Sequence, residues 1–292
     1  MSLRVTFDIF SGRPNPVVVF DGSDATTLLQ KLKPGAKLAG VEAEAPSESF
    51  LGYRGLIVEQ SGPGVSADVP QRLRIVDGKA FAPTAAYRVS NDVEDFVFAR
   101  APLLHQSSAP ADLLGQIHAQ ATARRSSPAT DSSSAGKSPG PVSPCACAPL
   151  YEPNWWNDGG TRQGLNNCYN YAANYRTDTF AQPGLGTGQM YSSPIASVSM
   201  SAAAVRDALV QTNQPICPTE GHLVALFIAQ GLDFHWYRLG RDGFWTHKPG
   251  FTPVTNKDNH GLLISDPRNA SRGIYTLFCG FMIVHDGHIK LR

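Results

Sequence analysis

The sequence predicts an α+β fold: a small N-terminal α+β domain over residues 1–104, a Ser/Pro/Ala-rich linker over 105–148, and a C-terminal helix-plus-sheet domain over 149–292. Three observations predict it. Leu3, Val5, Phe7 and Ile9 alternate with polar residues, the period-two signature of a strand with one buried face. Ser126 to Ser143 holds almost no large apolar residue, so it cannot bury enough surface to offset its ordering entropy. The last half of the chain sets a helix-like stretch at Cys168 before several apolar runs of strand length.

Taken in order, Ser11-Gly12-Arg13-Pro14-Asn15-Pro16 reads as a turn, because its prolines fix φ. Arg13 offers a ligand contact there, against the simpler reading of a hairpin loop. Val17 to Phe20 follows as a strand. Ser23 is a candidate cap for a helix over Asp24 to Leu32, with Leu28, Leu29 and Leu32 on one side. Phe50 to Val58 reads as a strand. Leu73 to Val76 and Ala80 to Phe81 flank Asp77-Gly78, a hairpin signal. Asn91 is placed to cap a helix carrying Val93, Phe96 and Val97 inward. A short, marginal helix is expected over Asp112 to Arg125, and the rest of the linker is expected to be mobile and open to proteolysis.

In the C-terminal half a helix is expected from Cys168. A second is expected from Ser201, with Ser201 as its cap and Val205, Leu209 and Val210 as its apolar stripe. Leu223 to Ile228 reads as a buried strand. Phe234 to Leu239 and Phe244 to His247 form a hairpin. Leu262 to Ile264 and Tyr275 to Val284 complete a sheet.

Formal net charge is +1, which provides no electrostatic footprint for nucleic acid. No apolar run has the length of a transmembrane helix. The start carries charges where a signal peptide needs an apolar core, so the expectation is a cytoplasmic protein, one exported without a cleaved leader, or one whose leader has been cut away. The five cysteines are Cys145, Cys147, Cys168, Cys217 and Cys279. Five reduced thiols suit the lack of a leader. One reactive thiol beside up to two disulfides, with Cys145 and Cys147 as possible partners, is the alternative.

Three residues carry the chemistry. Cys168 opens a helix within Asn167-Cys168-Tyr169-Asn170-Tyr171. His235 lies on one strand of the hairpin and His247 on the other. A thiol at a helix start is expected to have a lowered pKa, further lowered by an imidazole partner, and to attack a carbonyl as a thiolate. His235 is the candidate base and later acid. His247 is the candidate orienter of His235, with Asp258 the competing carboxylate and Asn256 and Asp266 as rivals. The backbone N–H of Cys168 and the side chains of Gln163, Asn166 and Asn167 are candidate oxyanion donors. Trp155, Trp156, Tyr169, Trp236 and Trp245 are candidate cleft aromatics, against ordinary core packing. Arg238 would bind a carboxylate or lie solvated on its strand.

This order resembles the papain-like superfamily, and within it the NlpC-like branch of amidases and endopeptidases. Asn167-Cys168-Tyr169 stands where that family has its cysteine. Glu220-Gly221-His222-Leu223-Val224 resembles the strand before its catalytic histidine. His235 and His247 match that histidine and the third polar residue. The resemblance covers roughly residues 163–250. It implies a thiol hydrolase that needs no cofactor, acts on a peptide or amide such as a cell-wall peptide, and passes through an acyl-enzyme. Activity would then rise as the thiolate–imidazolium pair forms and fall as His235 loses its proton. Two other functions compete. A zinc site would gather His222, His235, His247 and His260 with Asp258 or Cys168, although no short metal motif is present. A binding or toxin-like module would keep the fold without the chemistry.

Overall fold

The computed structural model describes residues 1–40, 49–103, 111–126 and 143–292. The expectation of a mobile, protease-sensitive stretch at Ser126 to Ser143 falls almost wholly outside them. Two compact units emerge. The first comprises Met1–Ile9, Asn15–Ser47 and Tyr53–Ala129. The second comprises Phe10–Pro14, Glu48–Gly52 and Thr130–Arg292. The division therefore departs from the 104/149 boundaries in two ways: two short N-terminal segments count with the second unit, and residues up to 129 count with the first. Both units combine helices with antiparallel sheet, an α+β fold.

The first unit holds a six-stranded sheet in the order β2-β1-β3-β4-β5-β6. Its strands are β1 (Ser2–Asp8), β2 (Val17–Phe20), β3 (Gly55–Ser61), β4 (Arg72–Val76), β5 (Lys79–Ala82) and β6 (Ala85–Arg88). Each neighbouring pair is antiparallel. Alternation in β1 puts Leu3, Val5 and Phe7 in the core, where Phe7 meets Phe98 at 5.3 Å. Asp77 and Gly78 turn β4 into β5 with φ of 52° and 70°, the left-handed pair that a two-residue hairpin requires. Asp8 is fully buried and holds Arg54 at 2.5 Å and Arg74 at 2.9 Å, so its charge is paired on both oxygens.

The unit's helices are α1 (Gly22–Lys31), α2 (Val93–Arg100) and α3 (Ala111–Ser126). Four expectations change here. Helix α1 starts before Ser23, with Asp21 at the cap position. Asp92, not Asn91, is the residue flanking α2, and Phe98 is buried where Phe96 is only half-buried. Strand β3 begins at Gly55 rather than Phe50, because Gly52 and Gly55 adopt φ of 112° and 123° and break the run. Helix α3 is a full sixteen residues and inserts Leu114 and Ile117 into the core.

The second unit is built on a five-stranded antiparallel sheet, β10-β9-β8-β11-β7. The strands are β7 (Val210–Thr212), β8 (His222–Ala229), β9 (Asp233–Leu239), β10 (Trp245–His247) and β11 (Leu277–Val284). Every residue of β8 and β9 is buried, which explains the apolar run at Leu223–Ile228. Val224, Leu226, Phe234 and Trp236 pack with α6 (Cys168–Ala172) and α7 (Ser197–Arg206). Ala225, Phe227, Tyr237 and Tyr275 fill the opposite face. The short helices α4 (Pro153–Trp156) and α5 (Thr161–Leu165) precede α6.

Ser201 is not a cap. It is buried in the middle of α7, whose inward residues are Met200, Ala203 and Ala204, while Val205 is exposed and Leu209 and Val210 lie beyond the helix. Small side chains let that helix lie close to the sheet, and an alanine face has a weak hydrophobic pattern. Leu262 to Ile264 forms isolated bridges to Lys257 and Trp245 rather than a strand. Cys145 is bonded to Cys217, which corrects both the five-thiol reading and the pairing of Cys145 with Cys147. Cys147 is exposed, Cys279 is half-buried, and Cys168 is a buried free thiol.

Candidate functional site

The site grows from one asparagine. Asn167 precedes α6 in extended conformation, and its Oδ1 accepts the N–H groups of Tyr169 and Asn170, while the Asn170 side chain accepts the N–H of Asn167. This reciprocal capping box starts a helix of only five residues and fixes Cys168 as its first. The other amide edge of Asn167 donates to the carbonyls of Gly12 and Ala181, at 2.8 Å and 2.7 Å. Asn167 thus serves as cap and as donor to a neighbouring main chain.

Cys168 is fully buried, with its Sγ 3.8 Å from the carbonyl of Phe234. The Ser11 hydroxyl lies 2.5 Å from Nδ1 of His235. His235 Nε2 lies 2.9 Å from Nδ1 of His247, and His247 Nε2 lies 2.9 Å from the carbonyl of Lys257. The tautomers follow from the end of this chain. The Lys257 carbonyl can only accept, so His247 carries its proton on Nε2. Burial pushes the pKa of His247 down to about 4, so the ring is neutral near pH 7 and its Nδ1 accepts. His235 therefore donates through Nε2, and in its neutral form Nδ1 is left to accept from Ser11.

Burial pushes the thiol of Cys168 up from its ordinary value, with the Asp233 charge acting in the same direction. The Ser11 side chain acts against both and is the smaller effect. The expectation of a thiol lowered by a helix start and an imidazole is thereby corrected. Desolvation of the anion outweighs one short turn of helix and a neighbouring hydroxyl.

Asp233 organises the strand of main chain beside the thiol. Its carboxylate accepts the backbone N–H groups of Ser11 at 2.6 Å, Gly12 at 3.2 Å and Arg13 at 2.9 Å, and the hydroxyl of Tyr275 at 2.5 Å. Burial raises its pKa, against the pull of those donors. The Gly12 carbonyl accepts from Gln182 Nε2 at 2.8 Å in addition to Asn167. The Arg13 guanidinium donates to the Leu232 carbonyl at 2.7 Å. Residues 11–13 are therefore bound along their backbone, which a plain hairpin turn does not describe.

The remaining candidates go elsewhere. Asp258 accepts the N–H groups of His260, Leu262 and Ser271 and organises its own loop, so His247 is the residue against His235. Asp266 pairs with Arg268. The Gln163 side chain accepts from Gly159, and Asn166 ties residues 177 and 178, so neither side chain is turned to the thiol. Trp236 stacks on Tyr169 at 5.3 Å, Trp245 meets Phe281 at 5.8 Å and Trp156 meets Tyr171 at 5.3 Å; all are core contacts, and Trp155 alone of the proposed cleft aromatics is exposed. Arg238 is neither solvated nor open to a carboxylate. It is fully buried, donates to the carbonyls of Tyr171 and Leu150, and stacks 3.9 Å from the Tyr171 ring.

His222 donates to or accepts from nothing in this cluster; its Nε2 meets the Ala172 carbonyl at 2.7 Å. His260 lies near Ser271. Among the described residues no group of three or more His, Cys, Asp or Glu side chains is arranged to hold a metal ion. No described helix is long and apolar enough to cross a membrane. A cavity of about 690 Å³ is lined by Cys147, Glu220, His285, Asp286 and His288, and by none of Cys168, His235 and His247.

Sequence reasoning missed Ser11, Gln182, Asp233 and Tyr275. The turn signal at Ser11–Pro16 was visible, but nothing local tied it to a strand more than two hundred positions away.

By class, the chain is an α+β protein whose second unit buries a pair of bonded histidines, His235 and His247, on neighbouring strands of an antiparallel sheet, and a free thiol at the start of a short helix. It is 42% identical, over 136 residues, to insoluble matrix shell protein 1 of Ruditapes philippinarum, a stretch covering 47% of this chain and 90% of that protein. The chain belongs to the family of that shell protein. No protein-family model matches it. No solved structure matches it either.

Proposed function

We propose that the second unit is a cysteine-dependent amide hydrolase of papain-like organisation, seen in a closed form. One observation carries the reading: the buried Cys168 thiol lies against the Phe234 carbonyl, one residue from His235, whose ring runs from the Ser11 hydroxyl through His247 to the Lys257 carbonyl. Nδ1 of His235, on the side of the ring away from His247, meets the Ser11 hydroxyl. A proton leaving Cys168 reaches Nδ1, and the resulting imidazolium is stabilised by the neutral acceptor nitrogen of His247. The thiolate would attack an amide carbonyl, His235 would protonate the leaving amine, and water would release the acyl group from sulfur. The substrate class is a peptide or other amide, a cell-wall peptide among them. Because burial raises the thiol pKa, loss of the Cys168 proton would accompany attack or follow opening of the site.

A second reading is favoured by a separate observation. The relative's name describes an insoluble shell-matrix protein, and the cluster is completely buried. On that reading the unit is a non-catalytic matrix module, and the histidine pair is core polar structure.

Turnover of a panel of peptide amides separates the two. The hydrolase reading expects activity that Cys168→Ala abolishes and that His235→Ala lowers on the order of 10²-fold or more. It also expects iodoacetamide to modify Cys168 faster in wild type than in His235→Ala at mildly acidic pH. No turnover, together with labelling indifferent to His235, establishes the matrix-module reading instead.

A further inference from the structure

We propose that the Cys168 site is a peptide-binding site selective for glycine, and that residues 11–13 of the chain occupy it as a peptide ligand would. Three features of the site read main chain. Asn167 and Gln182 converge on one carbonyl, that of Gly12, each at 2.8 Å. Asp233 accepts three successive backbone N–H groups. The Leu232 carbonyl takes the guanidinium that follows. A carbonyl clamp on one side and an N–H acceptor on the other recognise any peptide of the right conformation.

Side-chain selection comes from Phe234. A Cβ at Gly12 would lie 2.4–2.5 Å from three carbons of its ring. That ring is fully buried and set against Tyr191 at 5.6 Å, so it cannot swing away as a surface side chain would. Gly12 has no positive φ, so glycine is required for space and not for backbone conformation. The residue before it presents a small hydroxyl to His235. The ligand class is therefore a bent peptide reading serine or another small residue, then glycine, then arginine.

The inference deepens the hydrolase reading and rests on it for any cleavage that follows binding, but the binding itself needs no catalysis. The probes are an acetylated, amidated peptide of the sequence of residues 9–15 and the same peptide with alanine in place of glycine. The measurement is the rate of Cys168 alkylation by iodoacetamide in the full chain, mapped by mass spectrometry, with the thermal melt as the check on folding. Gly12→Ala is expected to expose Cys168, so that it labels faster than in wild type. The glycine peptide is expected to restore protection, and the alanine peptide is not.

Wild type gives the same comparison without any substitution: in long incubations Cys168 labels through transient opening, and the glycine peptide alone slows it. Equal protection by both peptides, or by neither, in wild type overturns the proposal whether or not Gly12→Ala folds. So does a folded Gly12→Ala chain in which Cys168 stays as protected as in wild type. Because labelling reads thiol access and not turnover, loss of glycine selectivity with Cys168-dependent hydrolysis intact would reject this inference alone. Glycine-selective protection in a chain without turnover would reject the hydrolase reading alone.

Discussion

Two buried histidines make the residue scale testable through pH. His222 and His247 are both held near pKa 4 by burial, against an ordinary value of 6.5. Between those values the unfolded chain binds protons that the folded chain refuses. Their contribution to stability is complete above about pH 6.5 and is lost as pH falls toward 4. The size is on the order of 3 kcal/mol per histidine, from about 1.4 kcal/mol per pKa unit. Asp233 and Asp207 have raised values and act in the opposite sense over the acidic range, so the difference between variants is the cleaner quantity. His222→Gln keeps a side-chain donor for the Ala172 carbonyl and removes the titration. Urea unfolding of wild type and His222→Gln at pH 7 and pH 4.5 is expected to show the wild type losing more stability on acidification. Parallel losses would mean that His222 titrates normally in the folded protein.

At the scale of an element, α6 is too short to persist by propensity and depends on its cap and its burial. Asn167 satisfies two helix N–H groups and supplies two outward bonds. Asn167→Ala removes all of them and is expected to cost on the order of 3 kcal/mol, a cap plus buried groups left unpaired. Asn167→Asp retains the cap acceptor but sets an oxygen against the carbonyls of Gly12 and Ala181. It should therefore fail to rescue, although aspartate is as good a cap as asparagine in an ordinary helix. An Asn167→Asp chain as stable as wild type in urea would show that the outward bonds contribute nothing. Part of this was legible in the sequence. Asn167 before Cys168 carries the signature of a cap, and the alternation of β9 and its turn placed His235 against His247. The face of α7 was not legible, because alanines and serines pack as closely as leucines without leaving a strong apolar period. Nor was β7, three exposed or half-exposed residues that owe their conformation to pairing with β11.

For the whole molecule, all four tryptophans, at positions 155, 156, 236 and 245, belong to the second unit, so their fluorescence reports that unit's unfolding alone. The Cys145–Cys217 disulfide lies within the same unit and closes a loop of 72 positions. Chain-entropy reasoning assigns such a loop about 4 kcal/mol, by restricting the unfolded state. Cys145→Ser, or reduction of the wild type, is expected to move the fluorescence transition to markedly lower urea. A far-ultraviolet component from the first unit should stay where it was. An unmoved fluorescence transition would mean that native strain or residual unfolded structure cancels the restriction.

The sequence by itself determined the α+β class, the strands at Val17–Phe20, Leu223–Ile228 and Phe234–Leu239, and the hairpin at Asp77-Gly78, because each rests on local periodicity or a demanding backbone angle. It also set Cys168 at a helix start and His235 and His247 on the two strands of one hairpin, which brings the two rings within 2.9 Å. Only the tertiary structure decided that the Ser11 hydroxyl meets the His235 imidazole, across 224 positions of chain. It alone decided that Gln182 and Asp233 hold a length of main chain, that Asp258 serves its own loop, and that Cys145 pairs with Cys217. Those outcomes depend on which distant groups share a buried volume. There the cost of desolvating an unpaired donor, acceptor or charge is paid only by partners that folding brings together.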